Sequence, residues 1–169
     1  MSSVNLKSIK DGIKTLLDAA NQAGGVPIDL STNMTNRVRK VLTLNVEKIP
    51  IQPSYFPCVT IFFKGKGIEL YDIAKNQYTG RRTSIIDISI VGLVWIDNMN
   101  TANFDITDLA DNECEYLMEN IEEVLRNDPT LSGTVLTSKP TSVTYHNFVV
   151  AEDAHMRAGI MNLQARAHY

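Results

Sequence analysis

Cysteine is nearly absent from this 169-residue chain, which has only Cys58 and Cys114 and no CxxC pair. That scarcity argues against a disulfide scaffold or a dithiol redox motif, and both thiols are expected as small buried hydrophobes. No run of eighteen apolar residues occurs, so a helix spanning a bilayer is not expected. The opening residues, MSSVNLKSIKDGIK, lack the continuous apolar stretch of a secretory signal, and folding in the cytoplasm is expected. Basic excess is missing as well. Sixteen Lys and Arg against nineteen Asp and Glu give a net charge of −3, which disfavours a sequence-reading DNA module. The linear signatures of chemistry are also lacking. There is no GxSxG, no HExxH and no GxxxxGK[ST], so no enzyme, cofactor or metal site is expected.

What is present is ordinary globular material, 44% hydrophobic and 21% charged. It is enough for one domain with a single core over residues 1–169. Leu6, Ile9, Ile13, Leu16, Leu17 and Ala20 recur at helical spacing, with Ser3 or Asn5 as cap and Ala23-Gly24-Gly25 as stop. Residues 26–36 read as polar loop, and 37–47 alternate as a half-buried strand. Pro50, Pro53 and Pro57 then punctuate a connector. A short β-rich run, Cys58 to Phe63, is closed by Lys64-Gly65-Lys66-Gly67. Residues 68–78 and 83–96 follow as strands around a turn at 79–82.

The run from Thr83 to Ile96 is the strongest strand. Ile86, Ile88, Ile90, Val94 and Ile96, at its even positions, form one apolar face. Its odd positions begin polar with Asp87 and Ser89 and turn apolar at Val91, Leu93 and Trp95, which predicts cover on both faces of the second half. Residues 105–127 form a second amphipathic helix with Asp105, Asp108 and Asp111 in its first turns. Two strands end the chain, 134–150 with an interruption at Pro140, and 156–169. The last alternates Met161, Leu163, Ala165 and Ala167 against Asn162, Gln164, Arg166 and His168. Short connections imply mostly antiparallel pairing. The expected architecture is α+β, a twisted sheet with two helices packed on one face.

Few constellations suggest a site. Lys64-Gly65-Lys66-Gly67 leads into a strand instead of a helix N-terminus, so it reads as a hairpin turn and not a phosphate loop. His146 and His155 come within reach if the last two strands pair, but nothing adjacent completes a metal site. The acids of the second helix, among them Glu115, Glu119, Glu122 and Glu123, read as a solvated face or as an electronegative lining that lets DNA slide past. Arg37, Arg39 and Lys40, with Arg81 and Arg82, form two small basic clusters suited to edge protection or to an acidic neighbour.

The segments NLKSIKDGIKTLL, FPCVTIFFKG, RRTSIIDISIVGLVWI, DLADNECEYLMENIEEVL and MRAGIMNLQARAHY, taken in this order, resemble the tail terminator (tail-completion) proteins of long-tailed bacteriophages. The resemblance is one of element pattern. It implies a homohexameric ring in the neck of the virion that caps the tail tube, ends its growth and joins tail to head. The partners it implies are further copies of the chain, the tail-tube protein, a head–tail connector or neck protein, and genomic DNA passing through without sequence-specific binding. It implies no membrane. Candidate subunit-contact or lumen residues are Arg37, Arg39, Lys40, Arg81, Arg82, Glu119, Glu122, Glu123 and Arg166. Residues 26–54 exceed what such a fold needs and are expected as an extended arm or loop. Alternative readings are a tail-tube or connector protein of the same particle, or a small-molecule-binding α+β domain.

Overall fold

The computed structural model describes residues 4–21, 38–49, 52–69, 83–97, 106–151 and 154–168, and all structural statements concern these. Helix α1 spans Leu6–Ala20. It begins at Asn5, whose side-chain oxygen accepts from the Ser8 N–H at 3.1 Å and satisfies one of the helix's orphan donors. Ile9, Ile13, Leu17 and Ala20 are buried along one stripe. The Lys7–Asp11 and Lys14–Asp18 pairs, one turn apart, dress the outer side.

The sheet has five strands in the order β1-β2-β3-β5-β4. They are β1 (Lys40–Leu42), β2 (Cys58–Glu69), β3 (Thr83–Asp97), β4 (Thr137–Ala151) and β5 (Ala154–His168). Only the β1–β2 pair is parallel. Helix α2, Ile106–Asn127, shares one face of this sheet with α1. The architecture is therefore α+β, mostly antiparallel, with both helices on one face. Ile86, Ile88, Ile90 and Val94 of β3, with Met161, Leu163, Ala165 and Ala167 of β5, point into the layer beneath the helices. β5 lies between β3 and β4, so the alternation at the end of the sequence belongs to an interior strand.

Three expectations need correction. The strand expected over 37–47 is only Lys40–Leu42, followed by a 3-10 turn at Val46–Lys48. Its apolar residues divide between two layers. Val38 and Val41 join the helix-side core, while Leu42, Leu44 and Val46 pack on the other face of the sheet. Within the segment expected as an arm, Val38, Val41, Leu42, Leu44, Val46 and Ile49 pack into the two clusters. Second, Lys64-Gly65-Lys66-Gly67 is not a turn. β2 runs through it to Glu69 with a register shift between Phe63 and Gly65, a bulge that glycine accommodates readily. Third, Pro140 does not break β4; the register shifts between Pro140 and Ser142 and pairing resumes. The turn at 79–82 and residues 70–78 of the expected strand lie outside the described residues.

The opposite face is half covered. Ile49 and Phe56 from the proline-punctuated segment bury Cys58, Val91, Leu93 and Ala158, and Phe56 stacks on Trp95 at 5.7 Å between ring centroids. This supplies the second layer that the apolar odd positions of β3 require. On the helix side, Gly92 and Gly159 are directly paired across β3 and β5. Met118 sits on this saddle: a Cβ at Gly159 would overlap Met118 Cγ and lie 2.9 Å from its Sδ. α2 rests this close to the sheet because neither strand carries a side chain there.

Candidate functional site

Two surfaces emerge from this arrangement, one on each side of the sheet. The first is the uncovered end of the face opposite the helices. Strand alternation aims Asp87 of β3, Asn162, Gln164, Arg166 and His168 of β5, and Thr137, Lys139 and Ser142 of β4 toward it. Lys64, at the β2 bulge, donates to Asn162 Oδ1 at 2.6 Å, and Asn162 Nδ2 donates to Ser142 Oγ at 2.8 Å. Gln164 Nε2 donates to Asp87 at 3.3 Å, and His168 Nδ1 lies 3.2 Å from Thr83 Oγ1. These bonds cross from β2 to β4 and fix the surface as a hydrogen-bonded sheet of polar side chains. Two shallow open hollows mark it, of about 320 Å³ beside Lys64 and Asp87 and about 170 Å³ beside Lys139 and Arg166. Lys64, Lys139, Arg166 and Asp87 are exposed.

The second surface is the outer side of α2. Asp108, Glu115, Tyr116, Glu119 and Glu123 are exposed there, and Tyr116 is 39% accessible. Glu115, Glu119 and Glu123 fall one turn apart in a single line, where like charges repel. Among the described residues no cation pairs with these three. Glu122, by contrast, takes the Arg126 guanidinium at 2.8 and 2.5 Å on one oxygen. Asp111 lies 3.2 Å from Arg157 Nε, an ion contact whose angle does not make a hydrogen bond. Arg157 also donates to Asn147 and covers the Tyr145 ring at 5.5 Å. Burial raises the Tyr145 phenol above its ordinary value, the nearby carboxylates Glu115 and Glu119 raise it further, and Arg157 opposes them.

The residues singled out from sequence separate accordingly. Arg39 is exposed and its backbone N–H donates to Pro57 O at 2.8 Å. Lys40 lies over the Tyr55 ring at 3.9 Å. Glu119 and Glu123 belong to the α2 row, Glu122 to an internal pair, and Arg166 to the opposite side of the sheet. Arg37, Arg81 and Arg82 lie outside the described residues. Lys139 carried no sequence signal of its own, and Lys64 was hidden in an apparent turn.

His146 and His155 do not meet. β4 and β5 pair as anticipated, but His146 stands opposite Ala158 and His155 opposite Val149, which puts the imidazoles on opposite faces. Among the described residues no group of His, Cys, Asp and Glu is arranged to hold a metal ion. Cys58 and Cys114 are both fully buried, and burial pushes each thiol up to about 12.

The sheet ends on one side in β4, which pairs only with β5 among the described residues. Fifteen residues of its outer edge thus carry no neighbouring strand, and Phe148 on it is 46% exposed. Compared with models of known protein families and with curated proteins, the chain matches none at a significant level.

Proposed function

We propose that this chain is a structural subunit of a long-tailed bacteriophage: the terminator that closes into a ring on the tail tube, stops its growth and joins it to the head. The observation that carries this reading is the order of elements. An N-terminal helix and a long acidic helix share one face of a mostly antiparallel sheet, and a strand follows as the last element, which is the pattern on which the resemblance rests. Two differently charged surfaces and a strand edge without a partner among the described residues suit a protein whose chemistry is assembly. The ring is hexameric, DNA passes through it without base contacts, and its partners are the tube protein and a connector.

Electron microscopy and light scattering of the purified chain test this reading. Single closed rings that cap growing tubes of the cognate tube protein are the expected result. Open-ended tubes formed by the chain itself would overturn it in favour of a tube protein.

A further inference from the structure

The two charged surfaces face away from each other across the sheet, so one chain cannot bring them together. We propose that the basic end of the open sheet face, Lys64, Lys139 and Arg166, docks the Glu115, Glu119 and Glu123 row of a second copy. This inference rests on the ring reading and names the contact that would build the ring.

Charge and dimension support it. Lys139 stands opposite Gln164 on β5, Arg166 follows two residues on, Asp87 occupies β3, and Lys64 lies at the β2 bulge. From β4 to β2 is three strand spacings, so the cations string across about 14 Å of sheet. Glu115 to Glu123 is eight helical residues, a row of about 12 Å. Three cations, with Asp87 the acid between them among the described side chains, thus face three carboxylates of nearly equal reach. Their mutual repulsion along α2 would be relieved by the cations of a neighbour. A polyanion such as duplex DNA is the rival occupant. Asp87 in the middle of the cation string interrupts a phosphate track, and the net charge of −3 opposes general attraction. The contact joins two different surfaces, so it is head-to-tail and leaves each copy able to bind one neighbour on either side.

The test is sedimentation of the full chain at about 50 mM and about 500 mM salt, concentrations that separate strong from weak screening. The variants are E115K/E119K/E123K and K64E/K139E/R166E. All six positions are exposed, so the core is untouched, and circular dichroism confirms folding. Should either triple variant misfold, E119K and K139E carry the same comparison.

We expect the wild-type chain to assemble at low salt and to weaken by at least about tenfold at high salt. Each variant alone should be monomeric under conditions where the wild type assembles, and an equimolar mixture should reassemble with the two alternating. Wild-type monomer at low salt, undiminished assembly of both variants, or a mixture that stays monomeric would overturn the proposal. So would a K64E/K139E/R166E chain that assembles normally but loses salt-dependent binding to a DNA duplex. If rings form and cap tubes although both variants assemble unimpaired, this contact falls and the terminator reading stands.

Discussion

Replacing Gly159 by alanine adds one methyl group at the closest approach of α2 to the sheet. Two effects of opposite sign compete. Removing a glycine restricts the unfolded chain and stabilises by about 0.4–1 kcal/mol where the backbone tolerates a side chain. Gly159 sits in an extended interior strand, so its backbone raises no objection. Against this, the new Cβ overlaps Met118 Cγ and approaches Tyr145 Cε1 to 3.3 Å. Cγ lies near the root of the methionine side chain, so Met118 must change rotamer or α2 must lift. Over-packing of this kind costs about 1–3 kcal/mol. Packing wins, and the net loss is about 1–2 kcal/mol, equivalent to about 2–8 °C in Tm for a chain of this size.

Urea unfolding followed by the fluorescence of Trp95, the only tryptophan, and by circular dichroism measures this loss. Met118→Ala alone should cost about 2–5 kcal/mol through the cavity it leaves. In the Gly159→Ala background it should cost less, because the methyl fills part of that cavity, with a coupling of about 1 kcal/mol. A Gly159→Ala chain as stable as wild type, or strictly additive losses in the double variant, would refute the saddle.

Other expectations follow from the same contacts. Deleting residues 160–169 removes most of the strand between β3 and β4 with four buried side chains, and should abolish cooperative unfolding. Arg157→Met should cost about 1–3 kcal/mol, since it leaves the buried Oδ1 of Asp111 without its cation; a neutral result in thermal melts would remove Arg157 from the structural account. Asp128 accepts from the Thr130 hydroxyl and from the N–H groups of Thr130 and Ser132, and the Thr130 hydroxyl bond leads in holding its carboxyl below the usual range. A depressed folded pKa means stability present above the unfolded value and lost as pH falls. The Tm gap between wild type and Asp128→Ala should therefore be widest near neutrality and shrink below about pH 4. Cys58 and Cys114 should react with a thiol reagent at about pH 8 only as fast as the protein opens, and rapid labelling of folded chain would place a thiol at the surface.

The sequence made legible whatever repeats with a period. The apolar even face of 83–96, the two helical stripes and the alternation of 156–169 each report the side of an element that meets the core, and the structure buries most of those residues that it describes, with Leu6, Leu16 and Ile96 partly buried against the core. The failures have a common physical origin. Residues 37–47 alternate convincingly, yet their apolar side chains divide between two layers, and periodicity cannot distinguish one buried face from two. Lys64-Gly65-Lys66-Gly67 carries the composition of a turn because a bulge also asks for residues without side chains. The Gly92–Gly159 saddle joins residues far apart in sequence and needs the register to be known. Of the candidate charges, Glu119, Glu123 and Arg166 were visible. That Arg166 belongs with Lys64 and Lys139, on the side away from the acids, follows only from strand order and parity.

The boundary on the open face shows that its polar end is a property of the fold and not of one strand. Along β3 the outward side chains change from Asp87 and Ser89 to Val91, Leu93 and Trp95, with Ile85, opposite Arg166, an apolar residue inside the polar end. Along β5 they change from Gln164 and Asn162 to Ile160, Ala158 and Met156. Ser89 pairs with Asn162 and Val91 with Ile160, so both strands switch at one level. β4 does not switch there: Ser142 stands at the Asn162 level, and Thr144 and His146, opposite Ile160 and Ala158, stay polar and exposed. The apolar half is roofed by Ile49 and Phe56, and the polar half has no roof among the described residues. A single chain needs such a boundary only to stay soluble, and scattered charges of either sign would serve. Three cations around Asp87, opposite a line of three carboxylates that no cation pairs among the described residues, is a narrower choice. Under the proposed docking each surface stays wet in the isolated chain and meets its complement on the next copy, so charge reversal on one side should be rescued by charge reversal on the other.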